Sequence, residues 1–425
     1  MALIVLVLLF LLMIGVPIGL TFALSALVGG EIFNIPSASF ASLSNQAVSS
    51  FALLAIPLFI LAGQIMSQGS IISQLIDLSE KLLKKVYGSL GYVTVLASAF
   101  LGAITGSSVA TVSAIGSSIG QKMVERGYDK GYTASLIAAA GLLGVFIPPS
   151  IPLILYGATV GVSIADLFIA SIVPGVCFVI AYLILHKILL KQVYNPNNSI
   201  VSSDAAKMEN TESLGKTFVK SIPALFMPFI VLGGIYSGIF TPTEAAAVAC
   251  LYGLVLAIVT KKLAIKKIFQ PFKLAAISSA AILGIIAFSN LFNYMITLEQ
   301  IPQMITEVAI NITDNKYVFI FIMIIILFVV GMFMETNAAV LLMAVLLAPA
   351  AITFDINPIH FGIILVTTIE IGLLTPPLAA NVFVSAKVNN CSVMEMIPNT
   401  WKFLLISVVV LFIVAYVPFL TTWFL

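Results

Sequence analysis

The sequence predicts an all-α polytopic membrane protein, an inverted structural repeat with two re-entrant helical hairpins and two helices broken by Pro-Pro pairs. Composition, the lengths of the apolar runs and a pattern that recurs along the chain predict it. Of 425 residues, 61% are hydrophobic and 8% charged, and the mean hydropathy is +1.18. Soluble domains carry roughly 25% charged residues. This chain cannot cover itself with a water-compatible surface, so the lipid bilayer must solvate most of it. Nothing in the charge pattern points to nucleic acid, and no HExxH, GxSxG or paired-histidine motif marks a membrane-embedded enzyme.

At about 20 residues per crossing, nine runs are long enough to span: Ala2–Val28, Ser50–Met66, Tyr132–Val162, Ala165–Leu190, Val219–Ser237, Glu244–Val259, Leu274–Met295, Ile359–Val388 and Ile397–Phe424. The first carries Pro17 and reads as one retained helix, with no basic residues ahead of it to mark a cleavable leader. Two runs contain a proline pair, Pro148-Pro149 and Pro376-Pro377. Each pair removes two backbone donors and bars helix at the residue before it. Such a break survives at membrane depth only where it is buried in protein or lines a wet cavity. Two further stretches, Ser89–Ile119 and Val318–Ala351, are interrupted by Thr105-Gly106-Ser107-Ser108 and Met334-Glu335-Thr336-Asn337. Their halves are short for a crossing, so each reads as a hairpin with a polar tip; one continuous span or two separate spans are the alternative.

Basic residues test this map. With the N-terminus cytoplasmic, 18 of the 19 lysines and arginines fall on one face, from Lys81 through Arg126 and the Lys261–Lys273 cluster to Lys402; Lys316 falls opposite. The other face holds Glu31, Asp166, Glu299, Glu307, Asp314 and Asp355. The positive-inside rule therefore fits, with the C-terminus periplasmic. Residues 71–87 and 261–273 are amphipathic and basic, as expected of arms lying along the cytoplasmic interface, and 195–215 reads as a linker. His186 and His360 lie near helix ends and read as interfacial; Cys177, Cys250 and Cys391 read as packing residues. The chain divides into scaffold helices with an arm (1–88), a first hairpin with its broken helix (89–162), further scaffold (163–317), a second hairpin with its broken helix (318–388) and a C-terminal helix (389–425).

Self-comparison is the most informative operation. Gly102-Ala103-Ile104-Thr105-Gly106 falls over Gly331-Met332-Phe333-Met334-Glu335, 229 positions later, and Pro149 over Pro377, 228 later. A hydrophobic helix, a polar-tipped hairpin and a Pro-Pro helix recur in one order. An odd number of crossings separates the copies, so the second enters from the other side. That is the plan of secondary transporters, with the site at the repeat interface.

Hairpin tips and broken helices offer hydroxyls, amides and free backbone groups. Half-helix N-termini suit a carboxylate; unwound carbonyls suit a hard cation such as Na⁺. One Na⁺ site is expected among Thr105, Ser107, Ser108, Gly144, Ile147 and Pro149, a second among Gly331, Thr336, Asn337, Gly372 and Thr375. Against this, membrane Ser and Thr often only bond their own helix. Glu335 and Glu370 are the carboxylates at membrane depth, and such residues are functional candidates. Glu335 reads as a substrate or ion contact; Glu370 reads equally as that or as a structural partner of a hydroxyl. Asn381 reads as a packing amide. The sole arginine, Arg126, lies in a loop, so an anionic substrate must be held by helix ends, hydroxyls and cations.

The runs GSSVATVSAIGSSI, RGYDKGYTASLIAAAGLLGVFIPPSIPLILYG, GIFTPTEAAAVACLYG, GMFMETNAA and NPIHFGIILVTTIEIGLLTPP resemble the large membrane subunit of tripartite ATP-independent periplasmic (TRAP) transporters, over essentially the whole chain. The resemblance implies an elevator-type, Na⁺-coupled carrier of organic carboxylates such as sialic acids or C4-dicarboxylates. It further implies a periplasmic substrate-binding protein and a small four-helix membrane subunit, the latter expected as a separate chain because Met1 opens directly on the first helix. It carries Na⁺ positions onto Ser107, Gly144 and Pro149, and onto Gly331, Gly372 and Thr375. Ser108, Ser150 and Glu335 match cavity-facing positions, and Asn337 beside them completes the expected substrate contacts. The family usually has Asp where Glu335 stands. A cation- or proton-coupled ion transporter on the same plan is the competing reading. Among substrates, Glu335 and the serines favour the polyhydroxylated sialic acids.

Overall fold

A computed structural model describes residues 2–33, 35–68, 71–83, 85–198, 214–260 and 268–425. Among them the chain is helical, with one isolated bridge between Tyr128 and Tyr194. Among the described residues eight helices are long and apolar enough to cross a membrane; they include Lys316–Phe333 and Thr336–Thr353, 18 residues each, the two halves that the sequence map reads as short for a crossing. Most of the expected linker, and the Lys261–Lys267 part of the second arm, lie outside the described residues; Lys273 is already inside a membrane helix.

The first apolar run is not one helix. It forms α1 (Ala2–Met13) and α2 (Ile18–Ile32), and Ile4 packs on Gly29, so the two fold back on each other. Gly15, at φ +81°, turns the chain, and Pro17 bars helix at Val16. The Thr21 hydroxyl donates to the Val16 and Pro17 carbonyls, which satisfies the turn from within. After α3 (Ser37–Val48) come α4 (Ala55–Gln68) and the amphipathic α5 (Ile71–Leu82), the expected first arm.

The first hairpin pairs α6 (Ser89–Thr105) with α7 (Ser108–Ile115), which continues through a π turn into α8 (Gln121–Glu125). Gly106 makes the tip at φ +61°, a conformation that favours glycine, and a Cβ there would lie 2.9 Å from the Pro149 carbonyl. The base closes where Tyr128 Oη accepts from Gly91 N–H at 3.4 Å. The first broken helix follows: α9 (Lys130–Gly141) and α10 (Leu143–Phe146), a bend of 41° at the prolines, then α11 (Ile151–Val160). Long helices α12 (Ile164–Val193), α13 (Leu214–Tyr236), α14 (Pro242–Val259) and α15 (Phe269–Leu298) precede α16 (Ile301–Ile312). This α16 is an arm-like helix that the sequence map leaves as a loop. The second hairpin pairs α17 (Lys316–Phe333) with α18 (Thr336–Thr353) and closes where Phe319 stacks on Phe354 at 4.2 Å. The second broken helix, α19 (Pro358–Gly372) and α20 (Ala380–Val388), leads to α21 (Val393–Tyr416) and α22 (Phe419–Thr422).

The broken helices lie antiparallel. Ser385 Oγ donates to Ala134 O at 2.6 Å, and Tyr156 Oη to Pro358 O at 2.7 Å. The 24-residue α21, about 36 Å long at 1.5 Å per residue, measures the hairpins. At its start Ser135 Oγ, near the base of the first hairpin, donates to Met396 O at 2.9 Å. At its end Tyr416 Oη donates to Tyr317 O at 2.9 Å, at the base of the second. The hairpins therefore open at opposite ends of the molecule.

Packing sorts the helices into two groups. One holds α1 to α4 and α13 to α15; the other holds the hairpins, the broken helices, α12 and α21, and α5 and α16 run between the groups. The expected scaffold of residues 163–317 thus loses α12. Its Phe178 packs on Phe146 at 4.4 Å and its Tyr182 bonds Ser407 of α21 at 2.7 Å, so its aromatic face belongs with the hairpins. His186 and His360 are buried, not interfacial. His186 bonds Tyr132 Oη at 2.6 Å and Gly88 O at 3.1 Å; His360 bonds Thr421 Oγ1 at 2.7 Å and Ala415 O at 3.2 Å. Each ring ties neighbouring segments together within the hairpin group. The three cysteines are free thiols.

Candidate functional site

Both hairpin tips and both proline elbows converge on one small central cavity of about 60 Å³. Ser107 and Ser108 reach it from the first tip, Glu335, Thr336 and Asn337 from the second, and Glu370 from the second broken helix. Ile282 of α15 closes one side, so the cavity also touches the scaffold group.

The first tip is a knot of oxygens. Thr111 Oγ1 donates to Ser107 O at 2.9 Å and meets Thr105 Oγ1 at 3.0 Å. Gly144 lies against the same atoms: a Cβ there would sit 2.4 Å from Thr111 Oγ1 and 2.6 Å from Ser107 O. The Pro149 carbonyl approaches Gly106 from the elbow, and Ile147, extended at φ −99° and ψ 119°, holds the backbone open before the prolines. Thr105, Ser107, Gly144 and Pro149 are thus brought together and Thr111 joins them, while the Ile147 side chain lies against Gly175 of α12. Thr111 lies four residues beyond Ser107, one helical turn along the same face, and that spacing was its signal.

The second tip is built differently. Glu335 caps α18: one carboxylate oxygen accepts from Asn337 N–H at 2.9 Å and Ala338 N–H at 3.3 Å, the other from Asn337 Nδ2 at 2.7 Å. A side-chain acceptor at this position satisfies donors that a helix start leaves orphaned. Glu335 faces the cavity as expected, but its charge is committed to its own helix end. Thr336 Oγ1 donates to Glu370 Oε1 at 2.8 Å, so Glu370 is the partner of a hydroxyl. Gly331 and Gly372 let the tip backbone rest on the broken helix. Asn381 bridges the broken helices, its Nδ2 reaching Ala138 O at 3.4 Å.

Buried polar atoms almost always find partners, so the exceptions are informative. Four of those without one among the described residues are Ser150 Oγ, Asn337 Oδ1, Glu370 Oε2 and Thr375 Oγ1; others, such as Ser25 Oγ and Ser98 Oγ, lie elsewhere. All four sit at the tips or elbows, and Ser150 is fully buried. These atoms are oxygens, a donor set suited to a hard cation or to a hydroxylated ligand. Among the described residues, no cluster of His, Cys, Asp and Glu suits a transition metal.

A family profile described as "Tripartite ATP-independent periplasmic transporter, DctM component" matches residues 5–420. The isethionate TRAP transporter permease protein DctMQ of Oleidesulfovibrio alaskensis is 34% identical over 97% of this chain, which spans 64% of that protein's length. The sialic acid TRAP transporter large permease protein SiaM of Vibrio cholerae is 30% identical over 96% of this chain and 94% of its own. In fold the chain resembles the Alcanivorax borkumensis YdaH transporter, with a TM-score of 0.62 over 90% of both chains at 14% identity. With hairpin tips, proline elbows and near full-length similarity agreeing, the chain belongs to the DctM family of TRAP transporter components.

Proposed function

We propose that this chain is the large permease subunit of a Na⁺-coupled TRAP transporter that carries an organic acid across the bacterial inner membrane. The lining of one cavity by Ser107, Ser108, Glu335, Thr336, Asn337 and Glu370, with Asn337 Oδ1 and Glu370 Oε2 left unpartnered, carries the reading. Such atoms are costly to bury unless a ligand completes them. In this reading the first Na⁺ rests among Thr105, Ser107, Thr111, Gly144 and Pro149, the second among Gly331, Thr336, Gly372 and Thr375. Ser108, Ser150 and Asn337 face the substrate. With no arginine at depth, the anion is held by α7 and α11 N-termini and by the cations.

Opposed hairpins support an inverted repeat, and two helix groups joined by the arms α5 and α16 support an elevator. Because α1 and α2 fold back, the N-terminus in this reading lies opposite the lysine-rich face, whereas the one-helix expectation put it in the cytoplasm. Partners are a small membrane subunit and a periplasmic binding protein. Sialic acid is the leading substrate and a C4-dicarboxylate the next; the relatives are named for sialic acid and for isethionate, so the class is hydroxylated or small organic anions. A cation- or proton-coupled ion transporter rests on the shared cavity of Glu335 and Glu370. The test is uptake into proteoliposomes holding this chain with the small subunit and binding protein encoded beside it. Uptake of a labelled acid that requires an inward Na⁺ gradient supports the carrier reading; equal uptake under K⁺ or a proton gradient alone contradicts it.

A further inference from the structure

Two larger cavities flank the central one. The first, about 340 Å³, lies between α15 and the second hairpin and is lined by Leu53, Ser289, Asn293 and Leu341. The second, about 360 Å³, lies between α4 and the first hairpin and is lined by Ile60, Gln64, Ser113 and Ile282. Their scaffold walls correspond in part. At the 229-residue spacing that relates the tips, Ile60 falls on Ser289, Gln64 on Asn293, and Leu53 on Ile282. Gln64 and Asn293 are thus scaffold amides at matching positions, each beside one hairpin; the exposed Asn290 also lines the first cavity. The two amides are in different states. Asn293, 8% exposed, donates from Nδ2 to the Leu341 carbonyl of the second hairpin at 3.1 Å, while its Oδ1 is buried without a partner. Gln64 is half-buried and, among the described residues, makes no hydrogen bond.

We propose that Asn293 and Gln64 are a reciprocal pair of positioning residues, each holding one hairpin against the scaffold in one of the two end states. Here Asn293 grips the second hairpin and Gln64 is released. In the opposite arrangement Gln64 donates to the first hairpin near Val112, the position 229 residues before Leu341, and Asn293 lets go. A carbonyl already bonded within its helix has a second lone pair for such a donor. Neither residue needs to touch the cargo; together they set the balance between the arrangements and hence the cycling rate.

This inference rests on the carrier reading, and the experiment separates the two. Spin labels at Phe269 in the scaffold group and Met394 in the hairpin group, both well exposed, report their separation by pulsed EPR in the full chain in nanodiscs. The expectation is two distance populations in the parent protein. Asn293→Leu should deplete the population with the second hairpin held, and Gln64→Leu should enrich it. Each shift should be about threefold, the size of an average interhelical hydrogen bond in a membrane, and the double variant should return toward the parent ratio. In uptake, turnover should fall with the KM for Na⁺ unchanged. If Asn293→Leu unfolds, Asn293→Ser and Gln64→Ser give the same contrast. Shifts in the same direction, or no shift in either variant, overturn the pairing while leaving the carrier intact. A single population in the parent protein, whatever the Na⁺ concentration, overturns both.

Discussion

Gly331 of the second hairpin and Gly372 of the second broken helix touch through their backbones. A Cβ at Gly372 would lie 2.7 Å from the Gly331 carbonyl carbon, and one at Gly331 would lie 2.4 Å from the Ile369 carbonyl. Backbone cannot swing aside as a side chain can. Gly102 of the first hairpin is placed similarly: a Cβ there would lie 2.5 Å from the Leu143 carbonyl oxygen. Close glycine contact is thus the common means by which each hairpin is seated on its broken helix.

Gly331→Ala should consequently destabilise the detergent-solubilised protein by about 1–3 kcal/mol, the range for overpacking a tight interior. Gly233→Ala is the control, because nothing lies within 4 Å of a Cβ there. Thermal melts should show a clear loss for the first and none for the second. Equal effects would mean that the seating is not tight.

Thr375 carries a buried hydroxyl with no partner, and leaving such a group unsatisfied costs about 1–3 kcal/mol. Thr375→Val keeps the shape and removes the oxygen. Without Na⁺ the variant should melt at or above the parent temperature. With Na⁺ the parent should gain stability by mass action and the variant should gain less. An undiminished Na⁺ gain in Thr375→Val would remove this residue from the cation site.

Glu335 serves its own helix first. Asp is a strong N-cap, so Glu335→Asp should retain stability and uptake. Glu335→Ala should lose about 0.5–2 kcal/mol and loosen the second tip. Circular-dichroism melts and uptake by the two variants check this; full activity in Glu335→Ala would show that the cap is dispensable.

Much of this was legible in the sequence because polar residues inside long apolar runs have few explanations. Thr105 to Ser108 and Glu335 to Asn337 had to be buried or to face water, and the lysines told the two ends apart. What escaped had weaker signals. One proline in a long apolar run, Pro17, did not reveal that α1 and α2 fold back, since a single proline also fits a kinked helix. The arm-like α16 has Pro302 in its first turn and bears Glu307, and without lysines it read as a loop. Helix α12 is apolar all round, so nothing in its pattern says which group it joins. Gln64 and Asn293 belong to no motif in the sequence; only the paired cavities single them out.

The central claim is that two tips, entering from opposite sides, build one carrier site. Single cysteines at Thr105 and Asn337, in a background with Cys177, Cys250 and Cys391 replaced, test it most directly. Membrane-impermeant maleimide applied to right-side-out and inside-out vesicles should label the Thr105 position from the lysine-rich face and the Asn337 position from the opposite face. Labelling of both positions from one face only would contradict the account.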